Sequence, residues 1–210
     1  AARQEIVRRH FRYLREFVEG NTTYTTIERM ERIMEKVGVT PQDRAVVLPA
    51  REAAEDAKNR AGEGKGYKGI FSGAAIEILE TRGEPLIVQG KNSSLLHAET
   101  AAILNAAKIL AGIPDEIEVI SREVIESIME LKEAMGQNHL SLNVREALDA
   151  LAASAVSDSK AKRCMDSLGR LRSCEMHSTH LMESGDETPL KQLGLYITTD
   201  AKLHLPNNYL

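Results

Sequence analysis

Pro85-Leu86-Ile87-Val88-Gln89-Gly90-Lys91-Asn92-Ser93-Ser94-Leu95-Leu96 carries the chain from one periodicity into another. Leu86, Ile87 and Val88 form a short aliphatic run of strand type. Ahead of it, the turn Thr81-Arg82-Gly83-Glu84 follows a similar run, Ala74-Ala75-Ile76-Glu77-Ile78-Leu79, so the pair reads as a hairpin. Beyond the polar turn Gly90 to Ser94, an alanine-rich helix is expected from Leu95 to Ala111. It would bury Leu96, Ile103, Leu104, Ala107 and Leu110 and close at Gly112. Hairpin, turn and helix together imply an α/β fold with a mixed sheet.

Downstream, strands and helices continue to alternate. Ile117 to Ile120 reads as a short strand, and Ser121 as the cap of a helix running to about Met135. Asn143 with Glu146 three residues on is a capping-box variant opening a helix to about Val156, and Asp158 caps another to about Leu171. Cys174 to Leu181 reads as a strand, Thr188 to Leu193 as a short helix, and Leu195 to Thr199 as a last strand. This order predicts parallel β-α-β crossovers after the hairpin, with helices packed on the sheet.

Upstream, the chain is helical. Ile6, Val7, Phe11, Leu14 and Val18 recur at helical spacing, then Ile27, Met30, Ile33, Met34 and Val37 before Gly38. Thr40-Pro41 is a further start signal, and a third helix spans about Pro49 to Ala61. These helices read either as an arm or oligomer contact, or as a cover for one face of the sheet. The expected organisation is an N-terminal helical segment, 1–61, and an α/β domain, 70–210. The chain opens in helix-like sequence without Met, which reads as part of a longer protein.

Composition narrows the function. The 210 residues hold no Trp, 3 Phe and 5 Tyr, so the core is aliphatic. A net charge of −4, with 27 basic and 31 acidic residues intermixed, argues against non-specific nucleic-acid binding, which needs a concentrated basic surface. No apolar run approaches membrane-spanning length. Two cysteines are too few for a disulfide framework and fit a cytoplasmic setting. The expected partners are a small molecule and further copies of the chain, with no nucleic acid and no membrane. No cofactor is legible.

Four segments invite chemistry. Gly62 to Gly69, with four glycines and two lysines, could wrap a phosphate, but it lacks the order of a phosphate loop and reads equally as a surface loop. Gly90, Lys91, Asn92, Ser93 and Ser94 lie between a strand and a helix start, where free N–H groups and a lysine favour an anion. His97-Ala98-Glu99 resembles the first half of the zinc deaminase signature, and the preceding hairpin looks like the cytidine-deaminase-like fold. The second half, Pro-Cys-x-x-Cys, is absent, so no metal ligands are assigned, and His97 and Glu99 are expected on an exposed helix flank. The last segment is Cys174-Glu175-Met176-His177-Ser178-Thr179-His180. Strand alternation puts Cys174, Met176, Ser178 and His180 on one face and Glu175, His177 and Thr179 on the other. A strand end this polar reads as a catalytic edge, or as a core Cys and Met beside hydrogen-bonded polar groups.

These segments also carry a family resemblance. Gly90 to Leu96, Ala102 to Lys108, Leu110 to Ile113, Ile120 to Glu126, Glu130 to Lys132, Leu171 to Thr179 and Leu193 to Leu195 resemble, in order, the C-terminal portion of the domain of unknown function 1846 family, also called uncharacterised protein family 0371. The resemblance covers most of the chain from about Asp43. It implies a bacterial protein whose relatives are longer, with a further N-terminal α/β region, and it implies no particular reaction. It points to the turn Gly90 to Ser94 as ligand-binding, and to Cys174, His177, Ser178 and Thr179 as catalytic. Asn92 and the pair His97 and Glu99 depart from the family pattern.

Overall fold

The computed structural model describes residues 2–79 and 83–202. Thr81 and Arg82 of the expected hairpin turn, and residues 203–210 of the expected α/β domain, lie outside the described residues. The hairpin itself is present. Strand β1 (Gly73–Leu79) pairs antiparallel with β2 (Pro85–Lys91), in the register Gly73 opposite Lys91 and Ile76 opposite Val88.

The rest of the sheet is built from the far end of the chain. Strand β3 (Glu175–Ser178) lies antiparallel to the other side of β1, and β4 (Tyr196–Thr199) lies parallel to β3. The order is therefore β2-β1-β3-β4, with the hairpin strand β1 inside and β2 on an edge. One parallel crossover is present among the described residues, through helix α8 (Ser184–Gln192) between β3 and β4.

Ile117 to Ile120 does not form the expected strand; Val119 and Ile120 instead bury their side chains in a helical cluster with no ladder beside them. Nor does β3 run to Leu181. The Leu181 N–H turns away to the Lys202 carbonyl at 2.8 Å, which ends the ladder near Ser178. Helix α8 starts a turn before Thr188, because Pro189 sits inside it rather than at its first position.

Helices cover both faces. Helix α4 (Ala98–Leu110) packs on the face carrying Ala74, Ile76, Ile78 and Met176. Its start lies three residues later than the alanine pattern implies. Leu95, Leu96 and His97 are drawn out as extended chain beside Leu142, whose carbonyl accepts from the His97 N–H at 3.0 Å. Gly90 permits the close β2–α4 contact, since a Cβ there would lie 2.2 Å from the Ala98 carbonyl oxygen and the Ala102 nitrogen.

Outside α4, helices α5 (Arg122–Ala134), α6 (Val144–Ser154) and α7 (Ser159–Ser167) share a second apolar cluster with it. The expected caps are in place. Asn143 Oδ1 accepts from the Glu146 N–H and Glu146 Oε2 from the Asn143 N–H, both at 3.0 Å, and Asp158 accepts from the Lys160 N–H at 2.7 Å.

The opposite face is covered by α3 (Val47–Asn59), whose Ala50 packs on Ala75. Helices α1 (Ala2–Val18) and α2 (Tyr24–Val37) share a small core of Val7, Phe11, Met30 and Met34. Arg44 pins these helices to the sheet. It is 1% exposed, pairs with Glu175, and donates from Nη2 to the Met176 carbonyl at 2.9 Å. No helix among the described residues is long and apolar enough to cross a membrane.

Candidate functional site

The carboxyl ends of β3 and β4 lie beside the first residues of β1 and the end of β2. The starts of α4, α6 and α8 meet at this end of the sheet. Asp186, in the first turn of α8, makes the junction: its Oδ1 accepts from the Val144 N–H at 2.8 Å and its Oδ2 lies 2.8 Å from His97 Nδ1. Gly185 allows this approach, because a Cβ there would fall 2.5 Å from Asn143 Nδ2.

Glu99 stands in the first turn of α4, fully buried at 0% exposure. The Ser178 hydroxyl donates to Glu99 Oε1, and His180 Nε2 lies 3.6 Å from the same oxygen. Glu99 Oε2 is buried with no hydrogen-bond partner. His97, Glu99 and Asp186 each bring one donor atom to a common point, all within 4.8 Å of one another. His97 and Glu99 are therefore not an exposed helix flank. Because α4 begins at Ala98, its first turn points into the sheet end, and Glu99 sits under the last residue of β3.

Burial governs the charges here. It pushes the Glu99 carboxyl up to about 7, and the neighbouring Asp186 carboxylate adds to the rise. Burial also pushes the His180 imidazole down to about 4. Burial works against charge on His97 as well, yet the Asp186 contact holds that imidazole above its ordinary range. A small cavity of about 60 Å³ opens onto His97, His180 and Asp186, with Tyr67, Asn92 and Glu183 on its walls.

The turn Gly90 to Ser94 is divided by this geometry. Asn92 reaches the small cavity, but its side chain is also structural: Oδ1 accepts from the Ser72 N–H at 2.9 Å and Nδ2 donates to the Ile70 carbonyl at 3.0 Å. Ser93 Oγ accepts from the Leu95 and Leu96 N–H groups, both at 3.2 Å. Ser94 is exposed, and Lys91 is paired with Asp56. Lys91 and Ser93 line a second, wider cleft of about 730 Å³ along the free edge of β2, together with Arg60, Lys65, Lys108 and Arg122. The glycine-rich segment before β1 adds Lys65 to that cleft and Tyr67 to the small cavity.

The second expected group is divided too. Ser178 joins the Glu99 cluster, while His177, on the other face of β3, packs on Phe11 with ring centroids 4.8 Å apart. His177 Nδ1 lies 2.9 Å from Thr198 Oγ1, and Nε2 3.4 Å from Asp200 Oδ1. Thr179 Oγ1 accepts from the Gly73 N–H at 3.0 Å. Cys174 is at the far end of β3, its Sγ 3.7 Å from the Arg170 carbonyl oxygen, and burial pushes its thiol up.

Asp186 escaped the sequence reading because an acidic residue in a helix's first turn looks like ordinary complement to the helix dipole. The signal available was its position six residues after the Ser178-Thr179-His180 run, close to the next helix start.

Residues 42–209 match the family model described as domain of unknown function DUF1846, C-terminal. A UPF0371 protein of Corynebacterium aurimucosum is 38% identical over 201 residues, 95% of this chain and 37% of the relative. A UPF0371 protein of Clostridium botulinum is 37% identical over 95% of this chain and 38% of the relative. One from Fusobacterium nucleatum is 34% identical over all of this chain and 41% of the relative. The chain thus spans about two-fifths of the length of these curated relatives.

Proposed function

We propose, for a chain that belongs to the DUF1846 family through its C-terminal domain, that it is the small-molecule-binding domain of an enzyme with its chemical centre at His97, Glu99 and Asp186. The observation that carries this reading is convergence. Side chains from α4, from the end of β3 and from α8 bring donor atoms to one buried point beside a cavity. Open α/β sheets bind their ligands outside the carboxyl ends of the strands, where this point lies.

The small cavity holds about two waters' worth of space, too little for a metabolite. The wider cleft has the size of a ligand site. Residues 91–97 contribute to both, with Lys91 and Ser93 facing the cleft and Asn92 and His97 the cavity. In this reading the body of a phosphate- or carboxylate-bearing molecule, with nucleotides as the leading class, lies in the cleft. Several cleft cations are already paired, Lys91 with Asp56 and Lys108 with Asp115. Lys65 has no ion-pair partner among the described residues, so it is the cation assigned to the ligand. The free state of Cys164 and Cys174 supports a reducing, cytoplasmic setting.

Thermal shift with adenosine monophosphate, inorganic phosphate and citrate, against neutral adenosine, tests this. A ligand at a hundred times its dissociation constant stabilises the fold by about 2.7 kcal/mol. The anions should raise Tm, and Lys65→Ala should abolish the rise. If no anion stabilises the chain, or the shift survives Lys65→Ala, the ligand reading fails.

A second reading, an oligomerisation or regulatory module, is favoured by one observation. Phe17, Tyr24, Ile33 and Val37 expose apolar side chains on the α1–α2 hairpin. Size measurement in solution tests it: a dimer that Ile33→Glu converts to a monomer supports it, and a wild-type monomer ends it.

A further inference from the structure

We propose that His97, Glu99 and Asp186 hold a divalent transition-metal ion of the zinc class, with the His180 imidazole beside them. The inference deepens the function proposed above and rests on it only for the location of the site.

Three observations lead there. The first is donor chemistry. One imidazole and two carboxylates, with a second imidazole in contact, suit zinc, manganese or iron(II); magnesium and calcium favour all-oxygen sets. The second is distance. Ligands about 2.0–2.2 Å from a tetrahedral zinc lie roughly 3.4 Å from one another, so donor separations of up to 4.8 Å need to close by about 1.4 Å at most.

The third is independent of the cluster's composition. Glu99 is fully buried and its Oε2 has no hydrogen-bond partner. A buried carboxylate oxygen left unpaired costs free energy unless something cationic meets it. A second buried carboxylate, Asp186, stands beside it at 1% exposure. A divalent cation answers both.

The surroundings resemble a supported metal shell. Ser178 orients Glu99, and the Val144 N–H fixes Asp186 Oδ1. In the arrangement seen, His97 Nδ1 and Asp186 Oδ2 make a hydrogen bond, and metal entry releases its proton. The His97-Ala98-Glu99 run at the start of α4 thus serves a site completed by a second carboxylate, Asp186, in which Glu99 is itself a ligand, unlike the proton-shuttling glutamate of the zinc deaminases, and neither Cys164 nor Cys174 belongs to it. When bound, such an ion supplies Lewis acidity and an activated water at the cavity.

Calorimetric titration of the EDTA-stripped chain with Zn²⁺, and visible spectroscopy with Co²⁺, test the assignment. About one equivalent should bind, with Co²⁺ giving the bands of nitrogen and oxygen coordination. His97→Ala, Glu99→Gln and Asp186→Asn should each weaken binding by about tenfold or more. Circular dichroism confirms that each variant is folded, and Glu99→Gln, which keeps shape and the Ser178 contact, is the decisive one. No stoichiometric binding by the folded wild type, or wild-type affinity in Glu99→Gln and His97→Ala, overturns the site. An anion-induced thermal shift without metal binding sinks this inference alone, whereas metal binding without any such shift sinks the ligand reading alone.

Discussion

His97 Nδ1 and Asp186 Oδ2 lie 2.8 Å apart although 89 positions separate them in the chain. This contact joins the start of α4 to the start of α8, and through the Val144 N–H it reaches α6 as well. The packing of three helix starts therefore runs through the same side chains as the candidate centre.

Ser178→Ala removes the hydroxyl that donates to Glu99 Oε1 and leaves that buried oxygen short of a donor. The expected loss is about 1–3 kcal/mol, the cost of an unsatisfied buried polar group. Urea denaturation measures it. A change within about 0.5 kcal/mol would show that Glu99 does not need this bond.

Gly90→Ala puts a methyl group 2.2 Å from backbone atoms of Ala98 and Ala102. The helix must move off the strand, at a cost of about 1–3 kcal/mol or more. Stability should fall with or without any added anion, because Gly90 spaces β2 from α4. Retention of full stability in the alanine variant would show that Gly90 does not set the β2–α4 spacing.

The hairpin, the capped helices α6 and α7, and the alternation along β3 were all legible in the sequence, because each rests on local spacing. Met176 and Ser178 do face α4, and His177 does face the other way. What was hidden is non-local. The pairing of β1 with β3 depends on which distant strand covers the hairpin, so Ile117 to Ile120 reads as a strand but lacks a neighbour to pair with. The same is true of the site. His97 and Glu99 look like a helix flank until Leu142 draws residues 95–97 into extended chain and brings the first turn under Ser178.

Asp200 predicts a pH dependence. Burial alone would raise its carboxyl, but His177 and Arg51 hold it well below the usual carboxylate range. Arg51 carries that effect at neutral pH, since burial holds the His177 imidazole below its own ordinary range; Arg51 Nη2 is 2.7 Å from Asp200 Oδ1. A depressed folded-state pKa adds stability that is present above the unfolded value near 3.8 and is lost as pH falls through the folded one. Asp200→Asn should therefore lower stability at pH 7 and flatten the acid limb below about pH 5. Parallel stability–pH curves for the two proteins would contradict the pairing.

Cys174 should react slowly. Burial raises its thiol, and the carboxylates of Glu77 and Glu175 raise it further. Iodoacetamide at pH 7.5 should alkylate it more slowly than free cysteine, with the difference vanishing in denaturant. Cys164, pushed up to about 11 by burial, should be slower still. Rapid modification of Cys174 in the native chain would restore it as a nucleophile.

The placement of β1 has a consequence for how the molecule comes into being. Its hairpin partner emerges from the ribosome within moments, but its other neighbour follows only after most of the chain has been made: Gly73 N–H meets Thr179 Oγ1 across 106 positions. Closing so long a loop is slow. The nascent hairpin must wait with one edge unpaired, and the acidic centre beneath Ser178 takes shape only when that last edge is sealed.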